Sequence, residues 1–311
     1  MSGRKAADQA WESVRPDKLP DIGATRTLAI LPLVDWSVAR PELSGEPGVA
    51  YLIRTDHGTI LFDVGVNLDK RDPSPLIDNM KQLGVGLADI DTVVLSHNHL
   101  DHVGGLKFAR SGTFSLGPEQ VDLRGKRVFV PVPMTYPGVT PTVSREPVVI
   151  APGVATTGTI AGQLYMGRVD EQALAIRVQD KGIVLIVGCG HQSLPRLLAR
   201  SAQLFDEPVY GVIGGLHYPV PRGRLTTAGL DMQKLVAFGP FHAPSEADVE
   251  RDVALLASAR PQWVSLSPHD SSDESIAIFR GAFGPRYHDL RVGDWQVVAG
   301  TVPALAPARQ P

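Results

Sequence analysis

The stretch Val93-Val94-Leu95-Ser96-His97-Asn98-His99-Leu100-Asp101-His102 constrains this chain more than any other. The apolar, β-branched run over 92–95 predicts a buried strand, and the chain turns polar as soon as that run ends. Side chains two apart on an extended segment point the same way, so His97 and His99 can hold one cation from one side. Asp101 and His102 follow directly, and Gly104-Gly105 permits a sharp turn behind them. Imidazole and carboxylate donors suit zinc, manganese or iron better than magnesium or calcium. Four candidate ligands within six residues exceed what one catalytic zinc takes from one loop. The loop therefore predicts two divalent metal ions, zinc first, with manganese or iron as alternatives. His97 and His99 would serve one ion, Asp101 and His102 the other. The chain has nine histidines in 311 residues, so three within six positions is a concentration that a solvated polar loop does not explain.

Composition excludes several classes of function. A formal net charge of -3 and a pI near 6.3 offer no basic surface for a polyanion. No apolar run approaches the roughly 20 residues of a membrane span. The one cysteine, Cys189, precludes an internal disulfide and fits a reducing compartment. Residues 1–19 are polar and lack the apolar centre of a secretory signal. The expectation is a cytoplasmic protein with a small-molecule substrate, no nucleic-acid partner and no membrane contact.

Along the chain, 1–27 reads as an N-terminal arm, 28–300 as one domain and 301–311 as a loose tail. Strands are predicted over 28–34, 49–55 and 59–63, the last two joined by the turn Asp56-His57-Gly58. Asp63, at the end of its strand, either braces the metal loop from behind or simply forms the turn. A helix is predicted over 74–83, with Leu76, Ile77, Met80 and Leu83 at helical spacing, Ser74-Pro75 at its start and Gly84 as its stop. Residues 108–154 are rich in proline and glycine and read as a long crossing loop containing one short strand, 127–130. Within it, Tyr136 and Met134 either wall a substrate pocket or pack the loop down.

A second hairpin is predicted from 170–178 and 182–187. It ends in Gly188-Cys189-Gly190-His191. His191 follows an apolar strand, as His97 does, and is the natural third histidine of a three-ligand site. Cys189 either touches metal or is a small residue in a tight turn. After a helix over 193–205 comes a strand, 209–213, that runs into Gly214-Gly215-Leu216-His217. His217 is read as a ligand, a general acid or a substrate contact. Residues 218–244 read as irregular; Arg222 and Arg224 there either hold a carboxylate or phosphate or belong to a solvated loop. A helix over 245–259, a strand over 263–266 ending in Ser267-Pro268-His269-Asp270, a helix over 273–283 and strands over 287–292 and 295–299 complete the prediction.

Ser96 to His102 resembles the HxHxDH signature of the metallo-β-lactamase superfamily, which is specific where it follows an apolar strand and precedes a Gly-Gly helix start. The resemblance implies an α/β fold, a four-layer αββα sandwich, and the strand–helix order up to the loop matches its first half. It implies that Asp63 braces the loop, that His191 is the third ligand, and that His269 completes the second metal with Asp101 and His102. Histidine at position 99, where flavodiiron oxidoreductases of this fold usually carry glutamate, points to the hydrolytic branches. Most dinuclear members place a bridging aspartate where His217 stands here.

Three further stretches, Asp170-Glu171-Gln172-Ala173-Leu174, Gly188-Cys189-Gly190-His191 and Gly214-Gly215-Leu216-His217, resemble a narrower group. They are similar to the metallo-hydrolases related to the dihydropterin and β-ribofuranosylaminobenzene phosphate-condensing synthases, over about residues 28–299. The chain departs from that group at Gly190 and after His269, where Asp270-Ser271-Ser272 replaces a Cys-Thr-Gly run. The implied function is a metallohydrolase whose metals generate hydroxide at neutral pH to attack an ester, lactone, thioester or phosphoester. Asp101 would orient that hydroxide, and His217 would stabilise the oxyanion or protonate the leaving group. The alternatives are a transferase forming a C–N bond on a pterin phosphate, with Arg222 and Arg224 as phosphate clamps, and a metal-binding protein without turnover. The complete ligand set argues against the last, and no Gly-x-Ser-x-Gly elbow supports a serine nucleophile.

Overall fold

The computed structural model describes residues 2–238 and 243–301. Where an arm was expected, the chain opens with helix α1 (Ser2–Ser13). Its Ala7 is buried, and Trp11 lies beneath the guanidinium groups of Arg196 and Arg200. There follow β1 (Leu28–Val34), β2 (Ala50–Thr55), β3 (Gly58–Phe62), α2 (Pro75–Gln82), β4 (Thr92–Val94), α3 (Leu106–Arg110), β5 (Arg127–Val130) and β6 (Thr142–Val143). Next come β7 (Val149–Ala151), β8 (Val154–Thr156), β9 (Ile160–Leu164), β10 (Gly167–Glu171), β11 (Leu174–Val178), β12 (Gly182–Val187), α4 (Leu194–Leu204) and β13 (Val209–Gly214). The chain continues through β14 (Thr226–Thr227), β15 (Leu230–Asp231), α5 (Met232–Phe238), α6 (Glu246–Ser258), β16 (Trp263–Leu266), α7 (Asp273–Phe283) and β17 (Gln296–Ala299).

These elements form two compact units. One comprises 25–144 with the described residues from Leu290 onward; the other comprises the described residues up to Ala24 with 145–289. The first unit holds a seven-stranded sheet in the order β17-β1-β2-β3-β4-β5-β6. Pairing is antiparallel from β17 to β3 and parallel from β3 to β6. β1 is buried at every position, so it reads as an apolar run rather than an alternation. The Ser74 hydroxyl caps α2 by accepting from the Ile77 N–H, and it donates to the Leu116 carbonyl at 2.6 Å. Leu76 and Met80 of α2 join Leu33, Leu61, Val93 and Phe114 in the core.

The second unit holds a six-stranded sheet in the order β16-β13-β12-β11-β8-β7. β16, β13 and β12 run parallel and the others antiparallel. Parallel neighbours need crossovers, and α4 and α6 lie within them. Leu197 and Leu204 from α4, Val249 and Leu256 from α6, and Phe279 and Phe283 from α7 fill the core. α6 starts on a capping box in which Ser245 accepts from the Asp248 N–H while Asp248 accepts from the Ser245 N–H.

Several predicted elements are corrected. Residues 170–178 are not one strand: β10 ends at Glu171 and pairs with β9, while β11 begins at Leu174 and pairs with β12. The crossing loop contains the last three residues of α3, the short strands β6 and β7 and the first residue of β8, besides β5. No strand spans 287–292; Tyr287 and Val292 make only isolated bridges, to Val264 and Val38. The segment 218–244 carries β14, β15 and α5, and its residues 239–242 lie outside the described part, as does 302–311 of the predicted tail. Among the described residues no helix is long and apolar enough to cross a membrane.

Candidate metal centre

β3 and β4 are parallel neighbours, with Phe62 opposite Val94. Asp63 and Ser96, just beyond their ends, therefore meet. The Asp63 carboxylate is fully buried. Its Oδ1 accepts from the Ser96 N–H at 2.7 Å, and its Oδ2 accepts from the Ser96 hydroxyl at 2.7 Å. His102 Nδ1 lies 2.7 Å from the same Oδ2. One carboxylate thus grips both ends of the histidine loop, at a backbone φ of 59° that non-glycine residues seldom adopt. With Nδ1 engaged, His102 presents Nε2, 3.5 Å from Asp101 Oδ2. The Ser96 hydroxyl also lies 2.9 Å from His97 Nδ1, which leaves His97 Nε2 facing His99 Nδ1 at 3.1 Å. The rings of His97 and His102 sit 4.1 Å apart. Burial holds the His99 pKa below its ordinary value, partly opposed by Asp101, which favours the neutral imidazole that ligates metals.

Glu46 was not legible as a site residue. It is buried, and its carboxylate accepts from the N–H groups of Val66, Asn67 and Leu68, fixing the segment that follows Asp63. Beside the loop lies a cavity of about 690 Å³ lined by Val66, Leu68, Leu100, Leu106 and Phe108, with Lys70, Lys107 and Arg110. Tyr136 does not reach it. That ring packs on Phe114 with centroids 4.4 Å apart, and its hydroxyl donates to the Val121 carbonyl. Burial pushes its pKa up to about 12. Tyr136 and the buried Met134 pin the long loop.

In the second unit Val187 pairs with Gly214, and Gly214 with Leu266. The loops after β12, β13 and β16 therefore leave the sheet side by side at its carboxyl edge, where open α/β sheets place their ligands. Glu171, fully buried, accepts from the N–H groups of Cys189 at 3.0 Å, Gly190 at 2.9 Å and His191 at 2.7 Å. His269 Nδ1 lies 2.6 Å from the Ser267 hydroxyl, and His269 Nε2 lies 3.1 Å from Cys189 Sγ. Asp270 Oδ2 accepts from the His217 N–H at 3.0 Å and lies 3.8 Å from His269 Nε2. The rings of His191 and His217 are 4.7 Å apart. A carboxylate from the neighbouring loop, that of Asp270, thus lies against the backbone at 217.

Gln233 of α5, within the segment read as irregular, donates to the His269 carbonyl at 2.5 Å and accepts from the Arg224 N–H at 2.7 Å. Arg224 donates to the Pro268 carbonyl at 3.1 Å and pairs with Asp273 at 2.5 Å, while Arg222 is exposed. Gly215 has no room for a side chain. A Cβ there would land on the Gly188 carbonyl and the Asp270 carboxylate, and 2.8 Å from His269 Cε1. Gly215→Ala is expected to destabilise the protein by about 1–3 kcal/mol through overpacking, read as a lower urea midpoint; an unchanged midpoint would mean the loops have slack.

The metallo-beta-lactamase superfamily model matches residues 43–159, which include Asp63 and the whole histidine loop. Over that stretch, a little over a third of the chain, the sequence is similar to the metallo-beta-lactamase superfamily. A superfamily structure, Tm1679, described as a metal-dependent hydrolase, covers 88% of this chain and is itself covered completely, at 21% identity and a TM-score of 0.60. The metallo-beta-lactamase fold protein YhfI from Bacillus subtilis covers 88% at 14% identity and a TM-score of 0.51. These likenesses show the fold, the α/β metallo-β-lactamase type that the motif implied. In sequence the chain is 28% identical over 242 residues to the 7,8-dihydropterin-6-methyl-4-(beta-D-ribofuranosyl)-aminobenzene-5'-phosphate synthase of Methanocaldococcus jannaschii, covering 64% of this chain and 80% of that protein.

Proposed function

We propose that the protein is a metal-dependent hydrolase of small-molecule esters, lactones, thioesters or phosphoesters. The observation that carries this reading is the buried Asp63 carboxylate, which holds Ser96 and His102 and thereby orients the imidazole of His102 and, through the Ser96 hydroxyl, that of His97. These imidazoles with the adjacent Asp101 carboxylate form a donor set that fits zinc, with manganese or iron as alternatives. His97 and His99 would hold one ion, Asp101 and His102 a second. When bound, such ions supply Lewis acidity and bring the pKa of water down to about 7. The chain supplies the rest. Preset imidazoles need no reorganisation. Asp101, with a side chain 27% exposed beside the fully buried His102, would orient the attacking water through its carboxylate. The cavity beside Leu100 suits the apolar part of a substrate, and its lysines and arginine suit an anionic group.

Purified protein should contain zinc, manganese or iron and should hydrolyse at least one of p-nitrophenyl phosphodiesters, acyl-homoserine lactones and thioesters. His99→Ala should cut that activity to about one-hundredth or less, since loss of a ligand exceeds the roughly 10- to 100-fold cost of losing an outer partner, and should lower the bound metal. Full activity in metal-free protein would defeat the reading.

A second reading is favoured by the likeness to the methanogen synthase: transfer with C–N bond formation on a pterin phosphate. Exposed Arg222 would then contact phosphate, with Arg224 held in place behind it by Pro268 and Asp273. Turnover of a pterin diphosphate with none of the hydrolase substrates would select this second reading.

A further inference from the structure

We propose that the unit built on β12, β13 and β16 holds a divalent metal through sulfur, with the Cys189 thiolate, a His217 nitrogen and an Asp270 carboxylate oxygen as donors. The inference rests on the metal-enzyme reading and adds residues that the motif does not contain. One ligand atom from each of the three lies within 4.8 Å of the others. Donors sharing a tetrahedral zinc ion, each about 2.0–2.3 Å from it, lie about 3.3–3.8 Å apart, so a contraction of about 1 Å or less closes the set.

The surroundings are arranged for ligation. Cys189 is buried and its N–H is fixed on Glu171, so the thiol position is set by the turn. His269 turns Nδ1 to the Ser267 hydroxyl and Nε2 toward the cysteine sulfur, an orientation that lets it join or support the same ion. Asp270 is held from behind at Oδ1 by the Ser271 hydroxyl at 3.0 Å. His217 is held at φ 56°, a left-handed backbone that costs energy and is retained where it places a functional group. Gly215 is what lets the Asp270 carboxylate reach this position. Sulfur, nitrogen and oxygen donors together change the metal preference. A thiolate favours zinc or iron and disfavours manganese and magnesium. Binding would release the thiol proton to solvent, with no change of oxidation state.

The test is spectroscopic and uses the full chain. Loading the purified protein with cobalt(II) should give a thiolate-to-cobalt charge-transfer band in the near ultraviolet besides the visible d–d bands. Cys189→Ser should abolish that band. Asp270→Asn should weaken zinc binding about 100-fold or more in a chelator competition, beyond the cost of losing an outer partner, while leaving the far-ultraviolet circular dichroism unchanged. The wild-type spectrum decides even if the cysteine variant fails to fold: d–d bands without a charge-transfer band overturn the sulfur assignment and leave the hydrolase reading standing. An Asp270→Asn protein with unaltered zinc affinity overturns the carboxylate assignment. A wild-type protein that binds no cobalt and no zinc removes this inference and the hydrolase reading together.

Discussion

Asp63→Asn should lower metal affinity about 10- to 100-fold and cost roughly 2–4 kcal/mol of stability, because two charge-assisted hydrogen bonds are lost in a buried site. The carboxylate now accepts from the Ser96 N–H, the Ser96 hydroxyl and the His102 ring. An amide must turn its NH2 toward one of these, so donor faces donor. Asparagine tolerates the left-handed backbone that residue 63 adopts, so the variant isolates the lost acceptor from backbone strain. Asp63→Ala adds that strain, about 1–2 kcal/mol more. Urea unfolding and zinc competition on the three proteins should rank them wild type, Asn, Ala. An Asn variant within about 0.5 kcal/mol of wild type, with the same zinc affinity, would mean that Asp63 is an ordinary turn residue.

The second large effect is expected at Glu171. Its carboxylate takes three consecutive N–H groups, from Cys189, Gly190 and His191, while fully buried. Removing it in Glu171→Ala strands three buried donors, at about 1–3 kcal/mol each, so a loss of at least ~3 kcal/mol is expected. Glu171→Gln keeps one acceptor oxygen but brings an NH2 against the same donors, and should fall between wild type and Ala. Amide hydrogen exchange at residues 189–191 should speed up in the same order. A loss below about 1 kcal/mol in the alanine variant would show that these N–H groups find other partners.

The parts of the structure legible in the sequence are those whose cause is local. β1 and α7 run over 28–34 and 273–283 as predicted, because an unbroken apolar run and a capped amphipathic segment each carry their own bounds. The histidine loop was legible because its donors lie within six residues. Glu46, Asp270 and Gln233 were not, because what makes them matter is a partner 20, 53 and 36 residues away in the chain. Periodicity carries no record of such pairings. The break between β10 and β11 was hidden for a related reason. No glycine or proline marks Gln172-Ala173; the strands separate only because they pair with different neighbours. Strands of two or three residues, such as β6 and β8, are too short for any alternation to show.

The glycines of the second unit carry one more consequence. A Cβ on Gly190 would lie 2.6 Å from the Gly215 carbonyl, and one on Gly215 would strike the Gly188 carbonyl. The loops after β12 and β13 therefore mesh backbone to backbone, like two cogs without play. A shift of the backbone at 190 is therefore expected to press on the backbone at 215, two residues before His217. Selection for a new substrate should accordingly leave residues 188–191 and 214–217 untouched and accumulate changes outside the mesh, in α5, whose Gln233 touches the His269 carbonyl.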